Sequence, residues 1–407
     1  MQSVDIVIAG GGMVGLALAC GLKGTGLSVA LLEKDSLEHK KTLFSRDKAL
    51  RVSAIHAASE QLLKYIGIWD QILVQGACAY TSMEVWDKDS FGKIFFHAQE
   101  QGCHHLGYII ENQAIEQALW QKATESDHIT LLAPAHFQQV AWSEDAAFVT
   151  LADGRLLSAR LVVAADGANS WLRQYSAIPV TFWDYHQHAL VAVIRTEQPH
   201  QQTARQIFYE DGILAFLPLK EAHLSSIVWS LPFNQSTHFL QCPEAQFNQS
   251  LAVAFDMRLG LCELQGQRQT FPLKARYARS FAAHRLVLVG DAAHTIHPLA
   301  GQGVNLGFMD VAELISEIQR LKTQGKEIGH YPYLRRYERK RKQSAAFMLA
   351  AMQGFGVLFS GDKPIKKWIR NTGISLVNKC PSMKSKFFHH AIGLDEGSNF
   401  LKDLKFF

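Results

Sequence analysis

Cysteine is scarce. Six are spread over 407 residues, and no two stand at CxxC spacing. A disulfide framework or zinc site is not expected, and the pattern suits a reducing compartment. Proline is rarer still against glycine, 11 to 29, which excludes collagen-like and linker-dominated chains. Charged residues reach only 19% while 48% are hydrophobic, so the chain can fill a large core and is not disordered. No apolar run reaches the ~20 residues of a membrane-spanning helix. The longest, 345–359, is broken by Gln353 and two glycines. The first strand begins at Val4, which leaves no room for a signal peptide. The expectation is a cytoplasmic protein, soluble or resting on the inner face of a membrane. At this length two or three domains are expected.

A net charge of +4 is too small to argue for nucleic acid as a partner. The charge is unevenly placed. Residues 331–407 hold 15 Lys+Arg against 5 Asp+Glu, leaving 26 basic and 32 acidic residues for the rest. A basic end on an acidic body suits an anionic surface or an acidic partner; it also suits a plain solvated helix face. Within it Ile365, Trp368, Ile369, Thr372 and Leu376 fall at helical spacing beside Lys363, Lys366, Lys367 and Arg370. That is the pattern of an interfacial helix, or of a helix capping a domain.

Residues 4–9 form a short apolar run that ends in three glycines, a buried strand followed by a tight turn. Residues 13–22 are apolar and small, as in a helix packed on a sheet, and 28–32 read as a second buried strand. This is the opening βαβ of a doubly wound sheet. The charged stretch 34–50 reads as a loop. Helical spacing is read over 53–66 and 112–123, and strands over 136–142, 147–152 and 161–165. Segments 188–195, 205–209, 213–219 and 224–230 alternate like an antiparallel sheet and read as an inserted second domain. A buried strand returns at 285–289, a long helix follows over 302–321, and 332–391 reads as mostly helical.

Gly10, Gly12 and Gly15 fit GxGxxG at the turn between the first strand and its helix. Gly10 permits the turn, Gly12 lets backbone approach a pyrophosphate, and Gly15 lets helix and strand pack closely. The helix start offers free N–H groups and the positive end of its dipole. Glu33 ends the second strand 18 residues beyond Gly15, placed to accept from both hydroxyls of a ribose. The fingerprint reads as dinucleotide binding and does not separate FAD from NAD. No second GxGxxG occurs, so a separate nicotinamide-binding domain is not expected.

Two further stretches bear on that choice. Residues 161–173 carry Asp166, Gly167, Ser170 and Arg173 across a strand, a turn and a helix start. Alone this is an ordinary junction. Residues 286–305 read LVLVGDAAHTIHPLAGQGVN: a buried strand delivers Asp291, and a loop reaches Gly301, Gln302 and Gly303 at a helix start. Asp291 can hold a chain of sugar hydroxyls. The glycines let backbone approach a flat ring, and the helix dipole faces the charge of a reduced flavin. His294 and His297 have HxxH spacing with no third ligand, so no metal is expected.

GxGxxG, DGxxSxxR and the Gly290–Asp291 stretch, in this order, resemble the FAD-dependent class A flavoprotein monooxygenases. The run from His297 to Asp310, HPLAGQGVNLGFMD, is similar at every motif position to the ubiquinone-biosynthesis hydroxylases. The resemblance extends to about residue 394; nothing is carried over from loop 34–50 or the tail. It implies an α/β fold: a Rossmann-like FAD-binding domain (1–75, 109–180, 284–330), an inserted antiparallel-sheet substrate domain (76–108, 181–283) and a helical C-terminal region (331–407). It implies that Glu33 holds the adenosine ribose and that Arg51 sits by the pyrophosphate. Asp166 lies near the cofactor and a nicotinamide donor's approach, and Asp291 holds the ribityl or pyrophosphate side. Gly301, Gln302, Gly303, Val304 and Asn305 cradle the isoalloxazine, bordered by His297 and Pro298. The implied partners are dioxygen, a polyprenylated phenol, NAD(P)H or a protein electron donor, and other ubiquinone-biosynthesis proteins.

Dioxygen is a triplet and does not insert directly into a closed-shell phenol. A reduced flavin passes electrons singly and presents an electrophilic oxygen to the electron-rich ring, in a site that must exclude water. Phe208, Phe216, Leu217 and Pro218 are candidate walls of that dry site, or plain sheet core. No catalytic acid or base stands out. The expected activity is hydroxylation of a polyprenylated phenol, with C5 the favoured position. The alternatives are a sibling hydroxylase acting at another ring carbon or on another aromatic, and a prenyl-binding carrier or scaffold without turnover.

Overall fold

Strands that are apolar on both sides must be covered on both sides. Gln2–Ala9, Val29–Leu32, Leu156–Ala164 and Leu286–Leu288 are such strands, and Ile6, Val7, Ile8, Leu31, Val162, Val163 and Val287 are fully buried. In the computed structural model, which describes residues 1–44, 50–88, 93–209, 212–296 and 303–359, they line up in one sheet. The order is Ala282–Ala283, Leu286–Leu288, Leu156–Ala164, Gln2–Ala9, Val29–Leu32, Ile129–Leu132, and every pair but the first is parallel. Helix Met13–Gly21 packs between Asn112–Thr124 and Gly303–Thr323.

Register decides where the turns go. Ala9 pairs with both Ala164 and Leu32, and Ala164 pairs with Leu288. Four strands therefore end level. The turns at Gly10, Glu33, Asp166 and Asp291 leave the same carboxyl edge, where open parallel sheets bind their ligands.

The second sheet has eight strands, from His294–Thr295 through Cys262–Ala278, Val180–Thr196, Leu224–Pro232, Gly212–Pro218, Thr203–Tyr209 and Ser82–Asp87 to Lys93–His97. It is mixed rather than wholly antiparallel, because Ser82–Asp87 pairs parallel with Thr203–Tyr209. One face is closed by helices Phe233–Gln241 and Glu244–Ala254 over Leu190, Phe216 and Trp229, with Phe247 of the second helix buried against them. The other face meets a three-stranded sheet through Ala54, Ile109, Ala215 and Leu217. The strand His294–Thr295 follows directly on the Asp291 turn, so the two large sheets are joined at the site. The C-terminal helix Tyr331–Phe359 lays Leu334, Tyr337 and Ala345 into the first core, and the Tyr337 hydroxyl donates to the Leu288 carbonyl at 2.9 Å. Among the described residues no helix is long and apolar enough to cross a membrane.

Two expectations need correction. Stretch 34–50 contains a helix, Leu37–Phe44. The helix expected over 53–66 is a strand, Val52–Ile55, and then a helix, Ala57–Ile66. The strand's ladder partner is Gly107–Glu111, far away in sequence. His56 stands between them as the helix N-cap, its Nδ1 accepting the Ser59 N–H at 3.0 Å.

That histidine gives a pH prediction. Burial, assisted by the charge of Arg341, pushes its pKa from 6.5 down to about 4. The unfolded chain protonates first, so its contribution to stability is complete above pH 6.5 and is lost as the pH falls towards 4. The full effect is about 3 kcal/mol. His56→Asn keeps a capping acceptor and removes the titration. Between pH 7 and 4.5 its melting temperature should fall less than that of the wild type; equal slopes would refute the assignment.

Candidate functional site

The glycine fingerprint divides its labour. Gly10 has φ +106°, and a Cβ there would stand 2.4 Å from the Ala165 carbonyl oxygen. A Cβ on Gly15 would stand 2.0 Å from the Gly10 oxygen. Both glycines serve the protein's own packing. A Cβ on Gly12 meets no atom of the described residues within 4 Å, so that backbone is open to a ligand. Glu33 is buried. Its Oε2 accepts the Gly11 N–H at 2.8 Å and its Oε1 the Asp35 N–H at 3.0 Å, which aims the carboxylate at the loop. Trp120 lies against Gly11 and its buried indole N–H has no partner among the described residues. Lys40, missed in the sequence, reaches Glu116 at 2.8 Å and Glu33 at 3.9 Å.

The second motif is a bolt between turns. Ser170 caps helix Trp171–Tyr175 by accepting the Arg173 N–H at 3.0 Å. The buried Arg173 guanidinium then donates to the Ala168 carbonyl and, across the cleft, to the Ala292 carbonyl, both at 2.9 Å. Asp166 accepts the Leu172 N–H at 3.2 Å through one oxygen; the other is buried without a partner among the described residues.

The third motif meets the first through Val14. Its side chain lies against Gly290, φ +59°, and against Gly307, where a Cβ would stand 2.8 Å from Val14 Cγ2. Asp291 is solvent-accessible yet walled by protein, as at the bottom of a cleft. Burial raises its carboxyl above the ordinary range, against the pull of His294, Arg51 and Arg276. Arg51 lies 5.1 Å from the Phe271 ring centroid, between the second sheet and Asp291. Gly303 opens helix Gly303–Thr323, and Val304 is half-buried against the first core. The Asn305 side chain is already engaged: it donates to the Ala54 carbonyl at 2.7 Å and accepts the His56 N–H at 3.2 Å. Any contact from Asn305 to a ring would come from its backbone. His297, Pro298, Gly301, Gln302 and the interfacial pattern at 365–376 lie outside the described residues.

Sheet alternation sorts the candidate walls. Leu217 faces the small sheet, and Phe208 packs with Val85, Ile213 and Met352. Phe216 lies on the opposite face, its ring 3.8 Å from that of Phe255. Pro218 shares the parity of Phe216 along Gly212–Pro218. Phe208 and Leu217 are the two on the face away from the covering helices.

His294 Nε2 bonds to Asp310 Oδ2 at 2.7 Å. Among the described residues no group of His, Cys, Asp or Glu could hold a metal. Asp310 had no assigned role in the sequence. A charge set among Leu306, Phe308, Met309 and Val311 was its signal, because a buried carboxylate requires partners.

Open backbone at Gly12, a carboxylate at Glu33, a partnerless oxygen on Asp166 and the accessible Asp291 fit a long cofactor with ribose and phosphate groups. The fold and these residues define a dinucleotide-cofactor site at the carboxyl edge of a parallel sheet. A family described as FAD binding domain matches residues 3–351. The chain is 35% identical to the 3-demethoxyubiquinol 3-hydroxylase of Escherichia coli, over 97% of this chain and 99% of that one. It is 34% identical to a ubiquinone hydroxylase, UbiL, of Rhodospirillum rubrum, over 96% and 89%. Among solved structures, p-nitrophenol 4-monooxygenase of Pseudomonas putida matches with TM-score 0.76 at 16% identity, covering 97% and 98%. PqsL of Pseudomonas aeruginosa matches with TM-score 0.76 at 19% identity, covering 92% and 100%. The chain belongs to the FAD-binding family and, within it, to the ubiquinone-biosynthesis hydroxylases.

Proposed function

We propose that this enzyme adds one hydroxyl to the ring of a polyprenylated phenol, with C5 as the first choice of position. The observation that carries the reading is the meeting of three motifs at one sheet edge beside a second, apolar sheet. Bound FAD would supply electron transfer and oxygen activation. The chain's own residues bind and orient. Gly12 and the helix start receive the pyrophosphate, Glu33 the ribose, and Asp291 the ribityl or pyrophosphate hydroxyls and oxygens. Phe208 and Leu217 lie on the side of the second sheet where water has to be kept from the ring. Asp166, with one oxygen unpartnered, stands by the approach of NAD(P)H or of a protein electron donor.

A second reading is favoured by the relative from Escherichia coli, whose name gives hydroxylation of a demethoxyubiquinol at position 3. Mass spectrometry of quinone intermediates in cells lacking the protein separates the two. A prenylphenol short of one ring oxygen should accumulate under the first, and a demethoxy quinone under the second. Unchanged intermediates would sink both. The basic C-terminal stretch is read as a contact for an anionic membrane holding the prenylated substrate. The full chain should float with anionic liposomes; recovery in the soluble fraction would end that part.

A further inference from the structure

Asp310 is completely buried, two turns into helix Gly303–Thr323. Its Oδ2 accepts the Gly290 N–H at 2.8 Å and faces His294 at 2.7 Å. Its Oδ1 accepts from Arg341 Nε at 2.7 Å. Arg341 is 3% exposed and comes from the C-terminal helix; a second nitrogen donates to the Leu306 carbonyl at 3.2 Å. Burial opposes the charge on Asp310, but His294 and Arg341 outweigh it and hold the carboxyl below its usual range.

Stability alone is a weak reason for such a pair. Well-packed apolar residues of similar volume commonly stabilise a core as well or better. What the pair joins is more telling. Gly290 carries Asp291 into the cleft, and Leu306 lies in the first turn of the helix whose start faces the same cleft. Besides its own bond from the Ala293 N–H to the Gly290 carbonyl at 2.9 Å, the Gly290–Ala292 turn is held from elsewhere: Arg173 donates to the Ala292 carbonyl, and the Ala278 N–H to that of Ala293 at 2.8 Å. Among the described residues, Asp310 is what hydrogen-bonds the Gly290 amide to the helix.

We propose that Arg341 and Asp310 are positioning residues of the cofactor site. They lock the Gly290–Ala292 turn to the first turns of helix Gly303–Thr323, so that the Asp291 carboxylate and the helix N-terminus address the bound flavin together. The inference rests on reading this cleft as the FAD site. It gives the C-terminal helix a part in setting the flavin's electrostatics rather than only in covering the core.

Arg341→Lys keeps the charge but cannot reproduce the planar fork that serves two acceptors. The full-length variant should melt near the wild type without cofactor. It should bind FAD about tenfold more weakly, the scale on which supporting groups act around bound metals. The midpoint potential of its bound FAD should fall, because a misaligned helix dipole stabilises the reduced anion less. The double variant Asp310→Leu/Arg341→Met removes both buried charges and guards against misfolding of the single one. It should show the same weaker binding and lower potential. Wild-type FAD affinity and potential in both variants would overturn the proposal, as would a loss of thermal stability with neither property changed. If the wild type itself takes up no FAD, it is the cofactor reading that fails.

Discussion

Gly12→Ala should purify as a folded, colourless protein. Gly12 has φ −84° and ψ −179°, which alanine adopts freely, and a Cβ there touches no atom of the described residues within 4 Å. The fold therefore has no reason to suffer beyond about 1 kcal/mol of weaker helix capping. A pyrophosphate lying against that backbone would be pushed away by the methyl group. A hundredfold loss of FAD affinity, about 2.7 kcal/mol, is expected. Gly15→Ala should behave in the opposite way. Its Cβ would stand 2.0 Å from the Gly10 oxygen, so helix and strand must separate. Overpacking of this kind costs about 1–3 kcal/mol or more, and here it should give poorly soluble or low-melting protein. Flavin absorbance after purification and melting of the cofactor-free chains test both. A yellow Gly12→Ala protein, or a Gly15→Ala protein melting like the wild type, would refute the division of labour.

Asp291→Asn should move stability and binding in opposite directions. The wild-type carboxylate has no hydrogen-bond partner among the described residues, and burial raises its pKa despite His294, Arg51 and Arg276. A raised folded-state pKa means that ionisation at neutral pH works against folding. Asparagine carries no charge to desolvate, so the cofactor-free variant should melt at or above the wild-type temperature. That advantage should shrink as the pH falls through the raised folded-state pKa and be gone below the ordinary carboxylate pKa of about 3.9, where folded and unfolded wild type are both protonated. FAD binding loses hydrogen bonds to a charged group, about 1.5–3 kcal/mol, or roughly 10- to 100-fold in affinity. A variant that melts lower and binds FAD unchanged would make Asp291 a structural residue.

Much of the site was legible because its parts are local. Strand, glycine turn and helix follow one another at 4–22, and the positive φ of Gly10 is a demand of that turn alone. The buried strands could be read from apolar runs, and the DG and GD turns from their neighbours. Boundaries failed where a distant partner decided them. Ser53–Ile55 has helical spacing to the residues after it, yet Gly107–Glu111 takes it into a sheet. The helices Phe233–Gln241 and Glu244–Ala254 that cover the second sheet were not foreseen.

The sequence by itself pointed to a dinucleotide cofactor: strand, glycine turn, helix and a second strand ending at Glu33 are encoded within the first 33 residues, and the demands of the glycine turn are local. Tertiary structure alone decided which side chains work together. Arg173 finds the Ala292 carbonyl 119 positions away, and Arg341 finds Asp310 31 positions away. Phe216 and Leu217 are neighbours of equal promise in the chain, but a strand sends them to opposite faces. Alternation tells that two faces exist; only the pairing of strands and the packing of helices says which one the helices cover and which one meets the small sheet.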